Sequence, residues 1–310
     1  MLNRLRNWRP DPLIVLIVLA VIIAIFLPAR GEFAEGFGVA TKLAIALLFF
    51  LYGSRLSPRE ALDGLKHWRL HLMILALTFV LFPIIGLALK PLDWVLAPGL
   101  YLGILYMTLV PSTVQSSVNF TSIAHGNIAG AIVSASASNL LGIVFTPVLV
   151  MLFMATGDGV QVDGQVFIDI SLQLLLPFVL GQLLRKWTFK FAAAKATKNV
   201  DRISIAMVVY VAFSEGMVEG IWGQVPVRDI IILCVLSVVL VEFLLRLSGF
   251  LARRAGFDRK DRIAIQFCGS KKSLATGLPM AAVIFGGAGA GLIILPLMIF
   301  HQIQLMMCAV

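Results

Sequence analysis

Charge is what this chain has least of. Only 13% of its 310 residues are Asp, Glu, Lys or Arg, while 60% are apolar. A soluble domain averages roughly a quarter charged residues, so this chain cannot cover a water-facing surface. Cysteine is scarce too. Cys234, Cys268 and Cys308 lie far apart in or near apolar runs, without metal-ligand spacing, and read as small buried apolar residues. HExxH, GxxxxGKS/T and GxSxG are missing, so no metalloprotease, P-loop or hydrolase chemistry is indicated, and no cofactor or metal is expected. The chain reads as a polytopic all-α membrane protein and not as an enzyme. Nothing in it points to a nucleic-acid partner.

A spanning helix takes about 20 mostly apolar residues. Apolar runs predict ten spans, near 11–28, 37–55, 69–89, 97–124, 128–154, 165–184, 202–222, 228–248, 262–284 and 288–308. The first lacks a small-x-small cleavage site and is read as a retained helix. Lys and Arg cluster in alternate connections. Arg4, Arg6 and Arg9 precede the first span; Arg55, Arg59, Lys66 and Arg69 surround the second-to-third connection. Arg185, Lys186, Lys190, Lys195, Lys198 and Arg202 fill the sixth-to-seventh, and Arg246, Arg253, Arg254, Arg259, Lys260 and Arg262 the eighth-to-ninth. The opposite connections hold only Arg30, Lys90 and Arg228. By the positive-inside rule both termini are cytoplasmic, in an inner (plasma) membrane.

Two spans are interrupted. The fourth breaks at Pro111-Ser112-Thr113-Val114-Gln115-Ser116-Ser117, and the ninth at Gly269-Ser270-Lys271-Lys272-Ser273. Residues 1–155 and 156–310 thus each hold five spans with the fourth broken. An odd number of spans inverts the second half, and inverted repeats with matched breaks are the mark of a secondary transporter with a midplane site. Unpaired backbone in hydrocarbon costs several kcal/mol per group, so both breaks must be buried in protein or line water. Ser112, Thr113, Gln115, Ser116, Ser117, Ser270 and Ser273 supply further donors and acceptors there. Ser138 and Asn139 on the fifth span are candidates to reach the breaks; Ser134 and Ser136 fit close helix packing.

Ionisable residues are the sharper signal. At ~1.5 Å per residue, Lys271 lies about 13 Å into a core of about 30 Å, with Lys272 beside it, and Glu215 about 18 Å deep. Intramembrane charges face the protein interior or water. Pairing Glu215 with Lys271 or Lys272 would lower their cost. Glu242 reaches Arg246 one turn away as a structural pair; Lys42 snorkels outward; His125 reads as a solvated turn residue.

These residues carry a family resemblance. Leu48-Phe49-Phe50-Leu51-Tyr52-Gly53, the first break, Ala124-His125-Gly126-Asn127, Ser134 to Leu140, Thr146-Pro147, Ala212-Phe213-Ser214-Glu215, and Arg262-Ile263-Ala264-Ile265-Gln266 leading into Phe267 to Ser273 resemble the bile acid:sodium symporter family. The nearer likeness is to its divergent member-7-like branch, which includes bacterial homologues. The resemblance implies ten helices in two inverted repeats, with a core domain that contains the crossed broken helices. It implies a panel of the first, second, sixth and seventh helices, with solute bound between panel and core. Sodium-coupled members carry a glutamate where Gln266 stands, an asparagine or glutamine in the stretch held here by Ser270, Lys271 and Lys272, and a Ser-Asn pair at Ser117-Val118. Like charges about 5 Å apart repel by roughly 3 kcal/mol at an effective dielectric near 20. Loss of a carboxylate and gain of two lysines therefore argue against the usual sodium sites.

The expected function is secondary transport of an organic, anionic small solute across the lipid bilayer by alternating access. The expected substrate- or ion-binding residues are Ser112, Thr113, Gln115, Ser116, Ser117, Ser138, Asn139, Glu215, Gln266, Ser270, Lys271, Lys272 and Ser273. The coupling ion does not follow from the sequence; Glu215 fits a proton better than the site fits sodium. The alternative is a non-transporting regulatory or scaffold protein with the same fold, linked to calcium handling, whose mark is Lys271 locked to Glu215 in a sealed site.

Overall fold

In hydrocarbon a helix pairs its own backbone groups, which is why long apolar runs adopt it. The computed structural model describes residues 12–55, 67–154, 171–194, 197–286 and 289–308, and all regular structure among them is helical. The helices are α1 Pro12–Phe26, α2 Gly31–Arg55, α3 Trp68–Ala88, α4 Leu100–Leu109, α5 Gln115–Ile123, α6 Ile128–Met154 and α7 Leu172–Leu183. They continue as α8 Arg185–Ala192, α9 Thr197–Val218, α10 Val227–Arg254, α11 Arg259–Gly269, α12 Leu274–Phe285 and α13 Ala290–Cys308. Among the described residues, α2, α3, α6, α10 and α13 are long and apolar enough to cross a membrane, and α1, α4 and α7 are shorter apolar helices.

Helix occupies each expected segment where it is described. The α2 and α10 helices run past the predicted limits into charged residues, because hydropathy marks only the apolar part of a helix. The interrupted segments appear as the half-helix pairs α4–α5 and α11–α12. One element is a correction: residues 185–192, read as a charged connection, form the short helix α8. It exposes Trp187 and Phe191. The expected positions Arg4, Arg6, Arg9, Arg59, Lys66 and Lys195, and the boundary between the halves, lie outside the described residues.

The helices pack as two groups. One is α1, α2, α7 and α9, with α8 against α2; the other is α3 to α6 and α10 to α13. The α9 helix joins them through α12 and α13. Within the first group, α2 and α7 meet backbone to backbone. A Cβ on Gly53 would lie 2.0 Å from the Phe178 carbonyl oxygen, and one on Gly181 2.0 Å from that of Phe50. Small residues allow this approach, which drives helix association where no hydrophobic force acts between helices. At the end of α2, Arg55 makes a two-pronged ion pair with Asp201 at 2.5 and 3.1 Å and donates to the Ala192 and Thr197 carbonyls.

In the second group the turn from α5 to α6 is tied to the start of α11. Asn127 donates from its backbone to the Lys260 carbonyl at 3.0 Å and from its amide to Asp261 at 2.7 Å. His125 in that turn is exposed, with φ +57°. The Glu242–Arg246 pair forms at 2.5 Å on the outside of α10.

Candidate functional site

The two breaks cross, and each supplies the hydrogen bonds that the other lacks. A helix end leaves its last four carbonyls without partners. At the end of α4, Val110 is extended before Pro111, as a residue preceding proline prefers. The Thr108 and Val110 carbonyls accept from the Lys272 ammonium, and the Leu109 carbonyl from Thr146 Oγ1 at 2.9 Å. The Pro111 carbonyl accepts from the Ser273 N–H at 2.8 Å. Ser112 donates its N–H to Ser138 Oγ at 3.1 Å, and its carbonyl accepts from Asn139 Nδ2 at 2.7 Å.

The α11 end is closed in the same way. The Cys268 carbonyl accepts from Ser112 Oγ at 2.5 Å and the Phe267 carbonyl from Ser117 Oγ at 3.0 Å. Ser116 donates to Thr113 Oγ1, and Thr113 bonds Ser117, so a hydroxyl relay runs from half-buried Ser116 to the second break. Ser270 Oγ turns back to the Gln266 carbonyl, and Ser273 caps α12 by accepting from the Thr276 N–H. Gln304 on α13 clamps the Lys272 peptide: its Oε1 accepts from the Lys272 N–H and its Nε2 donates to the Lys272 carbonyl, both at 2.9 Å. His301 Nδ1 lies 2.8 Å from the same Nε2 and 3.2 Å from the Lys272 carbonyl oxygen, so the ring joins the clamp.

The neighbouring lysines do different things. Lys272 Nζ, fully buried, donates to the carbonyls of Val110 at 2.7 Å, Thr108 at 2.8 Å and Thr78 at 2.9 Å, and lies 4.1 Å from the Phe82 ring centroid. The Thr78 carbonyl is free for a local reason. The segment Leu77–Leu81 is π-helical, so the Phe82 N–H goes to Leu77, and the next residue, Pro83, has no N–H to offer. Lys271 Nζ, also buried, has no hydrogen-bond partner. It lies 4.0 Å from the Phe120 ring centroid and 5.5 Å from that of Phe267, near the Cys308 and Cys268 thiols. Cation–π contacts return roughly 0.5–2 kcal/mol. That falls short of the several kcal/mol needed to desolvate a charge.

Ser112, Thr113, Ser116, Ser117, Ser138, Asn139, Ser270, Lys271, Lys272 and Ser273 are therefore gathered at the crossing. Gln115 opens α5 there and is exposed. The Gln266 side chain turns away, donating to the Leu245 carbonyl at 3.1 Å and packing on Gly249 of α10. Glu215 makes no ion pair with either lysine; its electrostatic neighbours are Glu219 and Lys42. In this conformation Lys272 is held by carbonyls and Lys271 faces two rings, so a Glu215–lysine pair would belong to another state of the transporter. Sequence reasoning missed Thr78, His301 and Gln304. His301, Gln302 and Gln304, polar residues within an apolar run, were the available signal. Among the described residues no group of His, Cys, Asp and Glu could hold a metal ion.

Residues 11–310 match the model of the SBF-like CPA transporter family. The chain belongs to that family. It is 47% identical to protein PA2026 of Pseudomonas aeruginosa over 98% of this chain and 92% of that protein, and 47% identical to YfeH of Escherichia coli over 97% and 91%. It is 31% identical to "Sodium/bile acid cotransporter 7" of Rattus norvegicus over 86% of this chain and 80% of that protein. As a member of the SBF-like CPA transporter family, the chain is a multi-pass membrane transporter and not an enzyme.

Proposed function

We propose that this transporter moves an organic anion by alternating access, without sodium, between a panel (α1, α2, α7, α9) and a core (the remaining spans). In this reading the chain makes ten spans in two inverted repeats, 1–155 and 156–310, in the inner membrane with both termini cytoplasmic. The observation that carries the anion is Lys271: a buried ammonium without a hydrogen-bond partner, 4.0 Å from the ring centroid of Phe120 on α5. Gln115 and Asn119, exposed on α5 at the break, support a water-filled crevice on that side, since polar side chains at mid-depth avoid lipid. An entering carboxylate or sulfonate would give Lys271 the partner it lacks. Ser116 and Gln115 would line its path, and Ser112, Ser138, Asn139 and Ser273 would keep the crossing rigid.

The rat relative is named for sodium and bile acid. Here Gln266 faces α10, and an ammonium fills the carbonyl cluster at the crossing, which supports sodium independence. Glu215, half-buried on α9 with Glu219 and Lys42 around it, is the group proposed to carry a coupling proton. The regulatory or scaffold alternative called for a Lys271–Glu215 lock, and no such pair forms. The test is flux in proteoliposomes. Organic anions should move, a sodium gradient should not change the rate, and Lys271→Met should abolish transport. Movement of only cations or neutral solutes, or sodium-driven uptake, would overturn the reading.

A further inference from the structure

We infer that the Lys272 ammonium is a tethered monovalent cation, filling a carbonyl-built cation site between α3, α4 and the second break. The inference goes beyond the transport reading and does not depend on which solute moves.

Three oxygens surround Nζ, and all are backbone carbonyls: Thr78, Thr108 and Val110, at 2.9, 2.8 and 2.7 Å. Each is left open by the fold. Thr78 loses its acceptor role inside the helix to the π register and Pro83. Thr108 and Val110 are carbonyls at the interrupted end of α4. A protonated lysine has three donors and no acceptor; a neutral amine has two donors. Three acceptors around one nitrogen therefore match the charged form donor for donor. Among the described residues no carboxylate pairs with it as counter-charge. The negative end of the α4 dipole and the face of Phe82, 4.1 Å away, do so instead.

Backbone carbonyls at a broken helix end are how membrane proteins replace the hydration shell of an alkali ion. An ammonium and a potassium ion are of similar size, and the three distances suit either better than they suit sodium. The position also explains why the cluster survives in a buried crossing: the cation cannot dissociate, because it is part of the chain. The Gln304 clamp on the Lys272 peptide fixes the tether at its base. Lys272 is thus a positioning residue that holds α3 and the end of α4 together.

The experiment uses the full chain carrying Lys272→Ala, which removes the tether and leaves the carbonyls. Thermal unfolding in detergent is compared in choline, sodium, potassium, ammonium and propylammonium at equal ionic strength. The wild type should be indifferent to the cation. The variant should be least stable in choline and gain about 5 °C with potassium, ammonium or propylammonium, and less with sodium. Where the variant cannot be purified in choline, recovery of monodisperse protein in each salt is the readout. Equal behaviour in all salts, or recovery in none, would overturn the inference. Wild-type flux is not involved, so failure here is distinguishable from failure of the transport reading.

Discussion

Lys271 and Lys272 are adjacent, equally buried and alike in charge, yet their contributions to stability should differ in sign. Removing the Lys272 ammonium strands three carbonyls, each costing about 1–3 kcal/mol when left without a donor. Lys272→Met should therefore lower Tm by about 10 °C, measured by thermal unfolding in detergent. Removing the Lys271 ammonium strands nothing, since it holds no hydrogen bond, and replacing a buried charge with an apolar isostere is often stabilising. Lys271→Met should unfold within about 2 °C of wild type or above it, while losing flux. A large loss of stability in Lys271→Met would mean that its ammonium has a partner after all. Glu215 gives a second prediction. It pairs with neither lysine, so Glu215→Gln and Lys271→Met should be additive in stability to within about 0.5 kcal/mol. A coupling well beyond that in a double-mutant cycle would restore the ion pair expected from depth alone. Counting along a helix gives depth and not direction. It placed Glu215 and the lysines at similar height but could not tell that the rings and carbonyls had already claimed the ammoniums.

Among the elements, the breaks were legible and their partners were not. Pro111 and two polar runs interrupt apolar stretches, and nothing else in the chain does so at those places. The groups that close the breaks include a carbonyl released by a π segment and an amide on α13. Neither has a sequence signature, since each depends on which helix lies alongside. The α8 helix was missed for the opposite reason: its charge reads as a connection. The α2–α7 contact carries the clearest prediction at this scale. Gly181→Val puts side-chain carbon 2.0 Å from the Phe50 carbonyl oxygen and should abolish recovery of monodisperse protein. Gly38→Ala, on the same α2 but with nothing within 4 Å, should be neutral or gain up to about 1 kcal/mol from helix propensity. Equal tolerance of the two changes in size-exclusion chromatography would show that the close approach does not hold α2 to α7.

For the molecule as a whole, the crossing makes the two halves depend on each other. Ser112 donates to a carbonyl 156 residues further along the chain, and the Lys272 ammonium bonds Val110 from 162 residues away. At elongation rates of about 5–20 residues per second, the first broken helix enters the membrane roughly 10–30 s before its partner exists. During that interval the open carbonyls of Thr108 and Val110 have no protein donor of their own. An unpaired group in hydrocarbon is too costly to wait there, so the nascent α4 must be held in a hydrated or chaperoned setting until α11 and α12 arrive. Biogenesis, not only the finished fold, is then shaped by the crossing. A chain cut between residues 155 and 156 should yield fragments that are each degraded when made alone and persist when made together, as measured by pulse–chase in membranes. Independent survival of residues 1–155 would mean that the first break can find other partners. Any slowing of synthesis between the two breaks should likewise lengthen the exposed interval and lower the yield of folded transporter.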